Sequence, residues 1–247
     1  MDPREFKTIF EIVKAARRNL DETTWDYLIG GSDTETTLRR NRFAIDKLGL
    51  LPKILNDVSS VDTSGSFLGQ HLDLPVVLAP IGSLQVLDAG GGASAAKAAE
   101  QAGVMIMASS VCEPGIEQIA AASDAPKVYQ LYTRGDADWV DAIVERVVAS
   151  SYVGFCLTVD TAVVSRRERD IAKRVVPTSQ SSTEGDFTYQ ASLNWATVER
   201  IKKKYDIPLI IKGISRPDDA LKALDYGVDV IYRSEEHTSE LQSHLNL

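Results

Sequence analysis

The sequence predicts an α/β protein built on a parallel sheet, an incomplete (β/α)8 TIM barrel with about six strands present, preceded by a helical extension. Three observations predict it. From Leu74 to Tyr232, short apolar runs alternate with longer segments of helical period. The runs show almost no polar alternation, as in V-G-F-C-L-T-V from Val153 to Val159, which suits parallel strands covered on both faces. Polar residues then gather where the runs end, at the edge of the sheet where barrels keep their chemistry.

The elements follow in order. Phe6 to Leu20 places Phe6, Ile9, Phe10, Ile12, Val13, Ala16 and Leu20 at helical spacing. Asp21 to Ile29 reads as a second helix ended by Gly30-Gly31. Thr36 to Ala44 is polar and arginine-rich, and residues 1–73 together form the helical extension. Six strands follow, Pro75–Ala79, Val104–Ala108, Lys127–Leu131, Val153–Val159, Pro208–Lys212 and Val228–Tyr232. Helices Ala93–Gln101, Ile116–Ala122, Ala137–Ala149, Trp195–Lys204 and Asp218–Tyr226 alternate with them, and right-handed crossovers are expected. Ser165 to Gln190 shows no clear period and reads as a long functional loop.

After Tyr232 the rhythm stops. Arg233 to Ser243, R-S-E-E-H-T-S-E-L-Q-S, resembles the in-frame translation of a sequencing-library adapter, so residues 233–247 are expected to be a foreign tail on a 1–232 barrel portion. A natural acidic tail is the other reading. On the first reading His237 and His244 leave the catalytic candidates, and His71, ahead of the first strand, is structural.

Composition narrows the class. The chain has 247 residues, 44% apolar and 25% charged, enough for one barrel or two smaller domains. A net charge of −8 argues against a nucleic-acid binder. The two cysteines, Cys112 and Cys156, lie in apolar contexts and suggest neither a disulfide framework nor a zinc site, so no metal is expected. The charged start M-D-P-R-E-F-K is no secretory signal, and no apolar run approaches membrane-spanning length, so a cytoplasmic protein without a membrane span is expected.

Aligning the strand ends collects Pro80-Ile81-Gly82, Ser109, Gln130 with Tyr132, Thr158 with Asp160, and Lys212 around one mouth. Such a ring of donors and acceptors suits a planar heterocycle with several carbonyls and nitrogens, and the lysine can stabilise negative charge developing on it. Each residue also has a plainer reading. Ser109 and Thr158 can bond backbone, Lys212 can reach to solvent, Arg166 and Arg167 can be a solvated face, and Tyr27 and Tyr132 can be packed aromatics.

Six strings in order carry a resemblance: D-Y-L-I-G-G-S-D-T-E-T-T-L-R-R-N-R (Asp26 to Arg42), L-A-P-I-G (Leu78 to Gly82), Q-L-Y (Gln130 to Tyr132), L-T-V-D-T (Leu157 to Thr161), S-R-R-E-R-D (Ser165 to Asp170) and I-K-G (Ile211 to Gly213). From Phe6 to Tyr232 the chain resembles the FMN-dependent α-hydroxy-acid oxidases and dehydrogenases. The resemblance implies FMN as cofactor and oxidation of a small (S)-2-hydroxy acid to a 2-oxo acid, with oxygen or another acceptor taking the electrons and a homo-oligomeric parent. It implies that Ala79, Pro80 and Gly82 pack on the flavin and that Ser109, Gln130 and Thr158 bond its ring. Lys212 is then expected near the ring's N1 and C2 carbonyl. Tyr27, Tyr132 and Arg167 would hold the substrate, and Asp160 would orient the catalytic histidine.

The departures matter as much. The family motif S-N-H-G-G-R-Q should follow the sixth strand, yet Glu236 stands where its histidine would be, and the strands that bind the FMN phosphate are not represented. Val111 replaces a frequent aromatic, and Ala162 a proline. The expectation is a chain with little or no turnover of its own. The rival readings are another flavin- or phosphate-binding TIM-barrel enzyme, or a non-catalytic barrel fragment that binds flavin or self-associates.

Overall fold

Three helices precede the sheet, and their ends follow from local chemistry. The computed structural model describes residues 6–163, 165–174 and 187–233. Helix α1 (Ile9–Asn19) starts at a capping box, in which Thr8 and Glu11 satisfy each other's backbone N–H groups. Helix α2 (Glu22–Ile29) is capped by Asp21, whose carboxylate accepts from the Thr24 amide at 2.8 Å. The arginine-rich stretch forms α3 (Thr36–Asp46). After α3 the chain carries large apolar side chains with little cover: Leu50 and Leu51 are 96% exposed and Leu55 is 99% exposed.

A hairpin follows that sequence analysis did not anticipate, β1 (Gly65–Phe67) with β2 (Gln70–Leu72). Leu68 and Gly69 both take positive φ, as a two-residue turn of this hand requires. The sheet proper is six-stranded and parallel, in chain order: β3 (Val77–Leu78), β4 (Met105–Ser109), β5 (Lys127–Leu131), β6 (Gly154–Thr158), β7 (Leu209–Ile214) and β8 (Val230–Arg233). Among the described residues β3 and β8 each pair on one side only. The first strand is shorter than the apolar run predicted, for Pro75 has no N–H to give a ladder and Val76 is 47% exposed.

Between the strands run α4 (Leu84–Leu87), α5 (Gly91–Gln101), α6 (Ile116–Ala121), α7 (Ala137–Ala149), α8 (Glu168–Ala172), α9 (Phe187–Ala191), α10 (Trp195–Lys204) and α11 (Pro217–Asp225). The predicted loop from Ser165 to Gln190 therefore contains α8 and reaches into α9. These two elements are five residues each, too short for a helical period to register. Helix α7 shows the packing logic of the longer ones: Val140, Val144 and Val147 recur at helical spacing and are buried against the sheet.

Two apolar clusters lie on opposite faces of the strands. Ile106, Ala108, Tyr129, Leu131, Phe155, Leu157, Leu209 and Ile211 pack outward under the helices. The alternate residues Met105, Met107, Val128, Cys156 and Ile210 pack inward, with Leu72 of the hairpin among them. The hairpin thus joins the inner core and closes it from the side away from the strand ends.

Candidate active site at the strand ends

The two-residue alternation that places Met105 and Met107 inward also places Ser109 inward. The same rule sends Gln130 inward beyond Val128, Thr158 beyond Cys156, and Lys212 beyond Ile210. The register brings them level: Ser109 pairs with Gln130, and Thr158 with Lys212, which in turn pairs with Tyr232. Four polar side chains predicted from strand ends thus form one layer above an apolar floor. They are nearly sealed, at 2% exposure for Ser109, 0% for Gln130 and Thr158, and 6% for Lys212.

Their bonds leave specific valences open. Gln130 Nε2 donates to Thr158 Oγ1 at 2.6 Å, so the threonine keeps its own O–H proton to donate elsewhere. Gln130 Oε1 and Lys212 Nζ are buried with no hydrogen-bond partner. The Lys212 ammonium lies 5.6 Å from the centre of the Tyr232 ring. Beneath them the Cys156 thiol is pushed up to about 12, chiefly by burial, with Lys212 lowering and Asp160 raising it as smaller causes. Cys156 is therefore a packed apolar group and no nucleophile.

Asp160 stands two residues beyond β6, and both of its carboxylate oxygens are shielded without a hydrogen-bond partner. Its side chain rests on Gly213, where an added Cβ would lie 2.5 Å from Asp160 Cγ. Gly213 has φ +114 and interrupts the β7–β8 register between Lys212 and Ile214. The bulge makes room for the carboxylate beside the lysine's strand.

Tyr27 and Arg167 also meet. The Arg167 guanidinium lies 5.0 Å from the Tyr27 ring centre. Its Nη2 donates to the carbonyls of Tyr27 (2.5 Å) and Gly30 (3.1 Å), and its Nε donates to Asp170 (2.9 Å). Arg169 holds Glu35 and Asp26, and Lys173 holds Asp26, so α8 is latched to α2 and to the start of α3. Arg167 was expected to hold a substrate carboxylate, and in the structure these bonds tie the N-terminal extension to the barrel. Tyr132 is half-buried beyond β5, its amide donating to Ser110 Oγ at 3.0 Å. Ala79, Pro80 and Gly82 are half-buried after β3, and the Ser83 amide ties that loop to Val111 O at 2.9 Å.

Three residues were missed. Ser83 is fully buried at φ +59 with an unpartnered hydroxyl. Asp170 is the buried counter-ion of Arg167, and its i,i+3 spacing was the available signal. Gln190, 3% exposed on α9, bonds across two strand ends, and no local pattern marks it. A separate cavity of about 270 Å³ lies on the outer face of β6 and β7, lined by Leu157, Ile211, Trp195 and Gln190 among others, away from the inward ring.

The orphaned atoms test what ligand fits. A buried polar group without a partner costs about 1–3 kcal/mol. An acceptor on Gln130, a donor on Thr158 and a cation on Lys212 together match the edge of a planar ring bearing N–H and C=O groups. The chain also matches the FMN-dependent dehydrogenases over residues 16–243. The chain belongs to this family. It is 32% identical to an L-lactate oxidase of Nostoc sp., over 90% of this chain and 68% of that protein. It is 28% identical to a peroxisomal (S)-2-hydroxyacid oxidase of Arabidopsis thaliana, over 90% of this chain and 66% of that protein. Among solved structures, a mandelate oxidase variant with (S)-mandelic acid superposes with a TM-score of 0.83 at 29% identity, covering 92% of this chain and 67% of that one. Another superposes with a TM-score of 0.80 at 30% identity, over 88% of this chain and 65% of that one, and holds a C4a-OH-FMN adduct. The chain spans 64–70% of the length of the relatives it matches. The family's cofactor is FMN, and the inward ring fits it. No described helix is long and apolar enough to cross a membrane.

Proposed function

We propose that the parent enzyme oxidises a small (S)-2-hydroxy acid to the 2-oxo acid with FMN, and that residues 1–232 are the N-terminal portion of its barrel. The observation that carries this reading is the buried ring with Gln130 Oε1, Lys212 Nζ and the Asp160 carboxylate left unpaired. When bound, FMN supplies the two-electron acceptor for the substrate's α-carbon. Gln130, Thr158 and Ser109 hold its ring by hydrogen bonds, and the Ala79-Pro80-Gly82 segment packs against it. Lys212 stands in a water-poor site, where a lysine side chain stabilises developing negative charge more strongly than in water. Tyr27, Tyr132 and Arg167 receive the substrate, Arg167 and Tyr27 acting on its carboxylate while Arg167 keeps its bonds to Asp170 and to the Tyr27 and Gly30 carbonyls. Asp160 orients the proton-accepting histidine that the family motif supplies, at the position where this chain carries Glu236.

The same reading holds that this chain alone turns over little or nothing, since groups that act as a unit fail together. Among the described residues two sheet edges pair on one side only and Leu50, Leu51 and Leu55 lie bare, which supports a parent barrel that continues. A foreign tail over residues 233–247, a homo-oligomeric parent, a cytoplasmic setting, and oxygen or another acceptor as oxidant belong to the same proposal. The test is to add FMN to the expressed chain and then glycolate, lactate or mandelate. The expected result is a perturbed flavin spectrum that substrate does not bleach. No flavin perturbation would sink the ring assignment, and bleaching at rates typical of complete enzymes would sink the inactivity. The parent gene, screened with the same acids, should bleach FMN.

A further inference from the structure

We propose that Gln190 is a positioning residue for the flavin-contacting pair Gln130–Thr158, an inference that rests on the FMN reading above. Gln190 comes from α9, outside the sheet, and is 3% exposed. Its Oε1 accepts from the Thr133 amide at 2.7 Å, and its Nε2 donates to the Thr158 carbonyl at 2.8 Å. The paired register of β5 and β6 ends at Leu131 and Leu157, so the side chain bridges the strands just where their own ladder has stopped. A primary amide is suited to this: it presents an acceptor and a donor at one end, as a peptide group does. A carboxylate offers no donor, an ammonium no acceptor, and an apolar side chain would leave both backbone groups buried and unpaired.

The bridge acts on the site through a single peptide group. Thr158 C=O and Val159 N–H belong to the same peptide unit. Gln190 Nε2 holds its oxygen from one side, and its N–H donates to Lys212 O at 2.9 Å on the other. That unit stands between Thr158, which takes the Gln130 amide at 2.6 Å, and Asp160. Locking it fixes where the Thr158 hydroxyl stands, and therefore which way Gln130 turns its unpaired Oε1. Gln190 thus sets the geometry of the ring's hydrogen-bonding edge without touching the flavin.

The experiment compares FMN titrations of the full chain, wild type, Gln190→Met and Gln190→Glu, across pH. Gln190→Met keeps the length and loses both bonds, and we expect about tenfold weaker FMN binding, the equivalent of one net hydrogen bond. Gln190→Glu reproduces the donor–acceptor pair only when its carboxyl is protonated. Its deficit relative to wild type should therefore close as pH is lowered. Asp160 and Lys212 of the site, Arg134 next to the bridged Thr133, and Asp219, which lines the same outer cavity as Gln190, are common to both proteins, so the ratio at each pH isolates residue 190. A deficit that stays constant with pH, or none at any pH, overturns the proposal, because a space-filling role would not follow protonation. Should the wild type take up no FMN, that failure falls on the FMN reading. The side-chain amide resonances of Gln130 in the flavin-free chain then decide: shifted in Gln190→Glu at neutral pH they support positioning, and unchanged they overturn it.

Discussion

Replacing Gly213 by alanine tests the geometry of the mouth most directly. The residue has φ +114, a region in which side chains other than glycine cost about 1–3 kcal/mol. The new methyl would also stand 2.5 Å from Asp160 Cγ, 2.6 Å from its Cβ and 2.9 Å from its backbone nitrogen. None of these is the far end of a flexible side chain, so the overlap adds about 1–3 kcal/mol. The sum, about 2–6 kcal/mol, is a large part of the roughly 5–15 kcal/mol that holds a domain folded. Gly227→Ala is the matched control. It too has positive φ, +73, but its nearest neighbour is the Lys202 side chain at 3.7 Å, so only the backbone penalty applies. Urea unfolding followed by circular dichroism should show Gly213→Ala losing about 1–3 kcal/mol more than Gly227→Ala. Equal losses would refute the claim that the Asp160 carboxylate is seated against residue 213.

Three further outcomes are expected. Arg167→Met should destabilise the chain by about 3–5 kcal/mol, because it leaves Asp170, with a side chain 4% exposed, as a buried charge without its cation. Adding Asp170→Asn should recover part of that loss, and strict additivity in urea unfolding would contradict the pairing. Arg169 holds the Glu35 carboxyl below its ordinary 4.5, and Lys173 holds that of Asp26 below 3.8. A depressed folded-state value gives stability that is present above the unfolded value and lost as pH falls through the folded one. The latch between α8 and the N-terminal helices should therefore loosen below about pH 4.5, read by the fluorescence of Trp25 on α2, and a signal flat down to pH 2 would contradict it. Burial raises both cysteine thiols, that of Cys156 to about 12, so neither should react with a thiol reagent at mildly alkaline pH until denaturant is added. Stoichiometric labelling of Cys156 in the native chain would show that the inner core is open.

Much of the barrel was legible because burial on both faces leaves parallel strands as unbroken apolar runs, and all six end within two residues of where the runs do. The polar ring was legible for the same reason: Ser109, Gln130, Thr158 and Lys212 break those runs at one end. The hairpin was not, since Ser66, Gln70 and His71 face out or sit half-covered and leave no apolar alternation long enough to read. Arg167 was legible as a residue that matters, but its partners Tyr27 O and Gly30 O lie 140 and 137 residues away, and only the fold reveals that it ties the chain together. Gln190 lay beyond sequence reading altogether, because its role consists of two contacts made by tertiary packing.

The mouth violates rules that the rest of the sheet obeys. A lysine, an unpaired amide oxygen and a carboxylate are buried where strands β5 to β7 end, each a local loss that helical packing elsewhere must offset. Two devices keep these groups from relaxing to satisfy one another. The bulge at Gly213 seats Asp160 beside the Lys212 strand without a hydrogen bond to it. The Gln190 amide holds the Thr158 carbonyl, so Thr158 and Gln130 remain a fixed pair. A site free to relax would close its own valences and have little left with which to select a ligand. Keeping them open in a rigid frame costs stability in the folded chain and gives preorganised contacts to whatever enters. The segment from Val153 to Asp170 concentrates that arrangement: an apolar strand, the pinned threonine, the seated carboxylate, and then the arginine that fastens the N-terminal helices over the same end of the barrel.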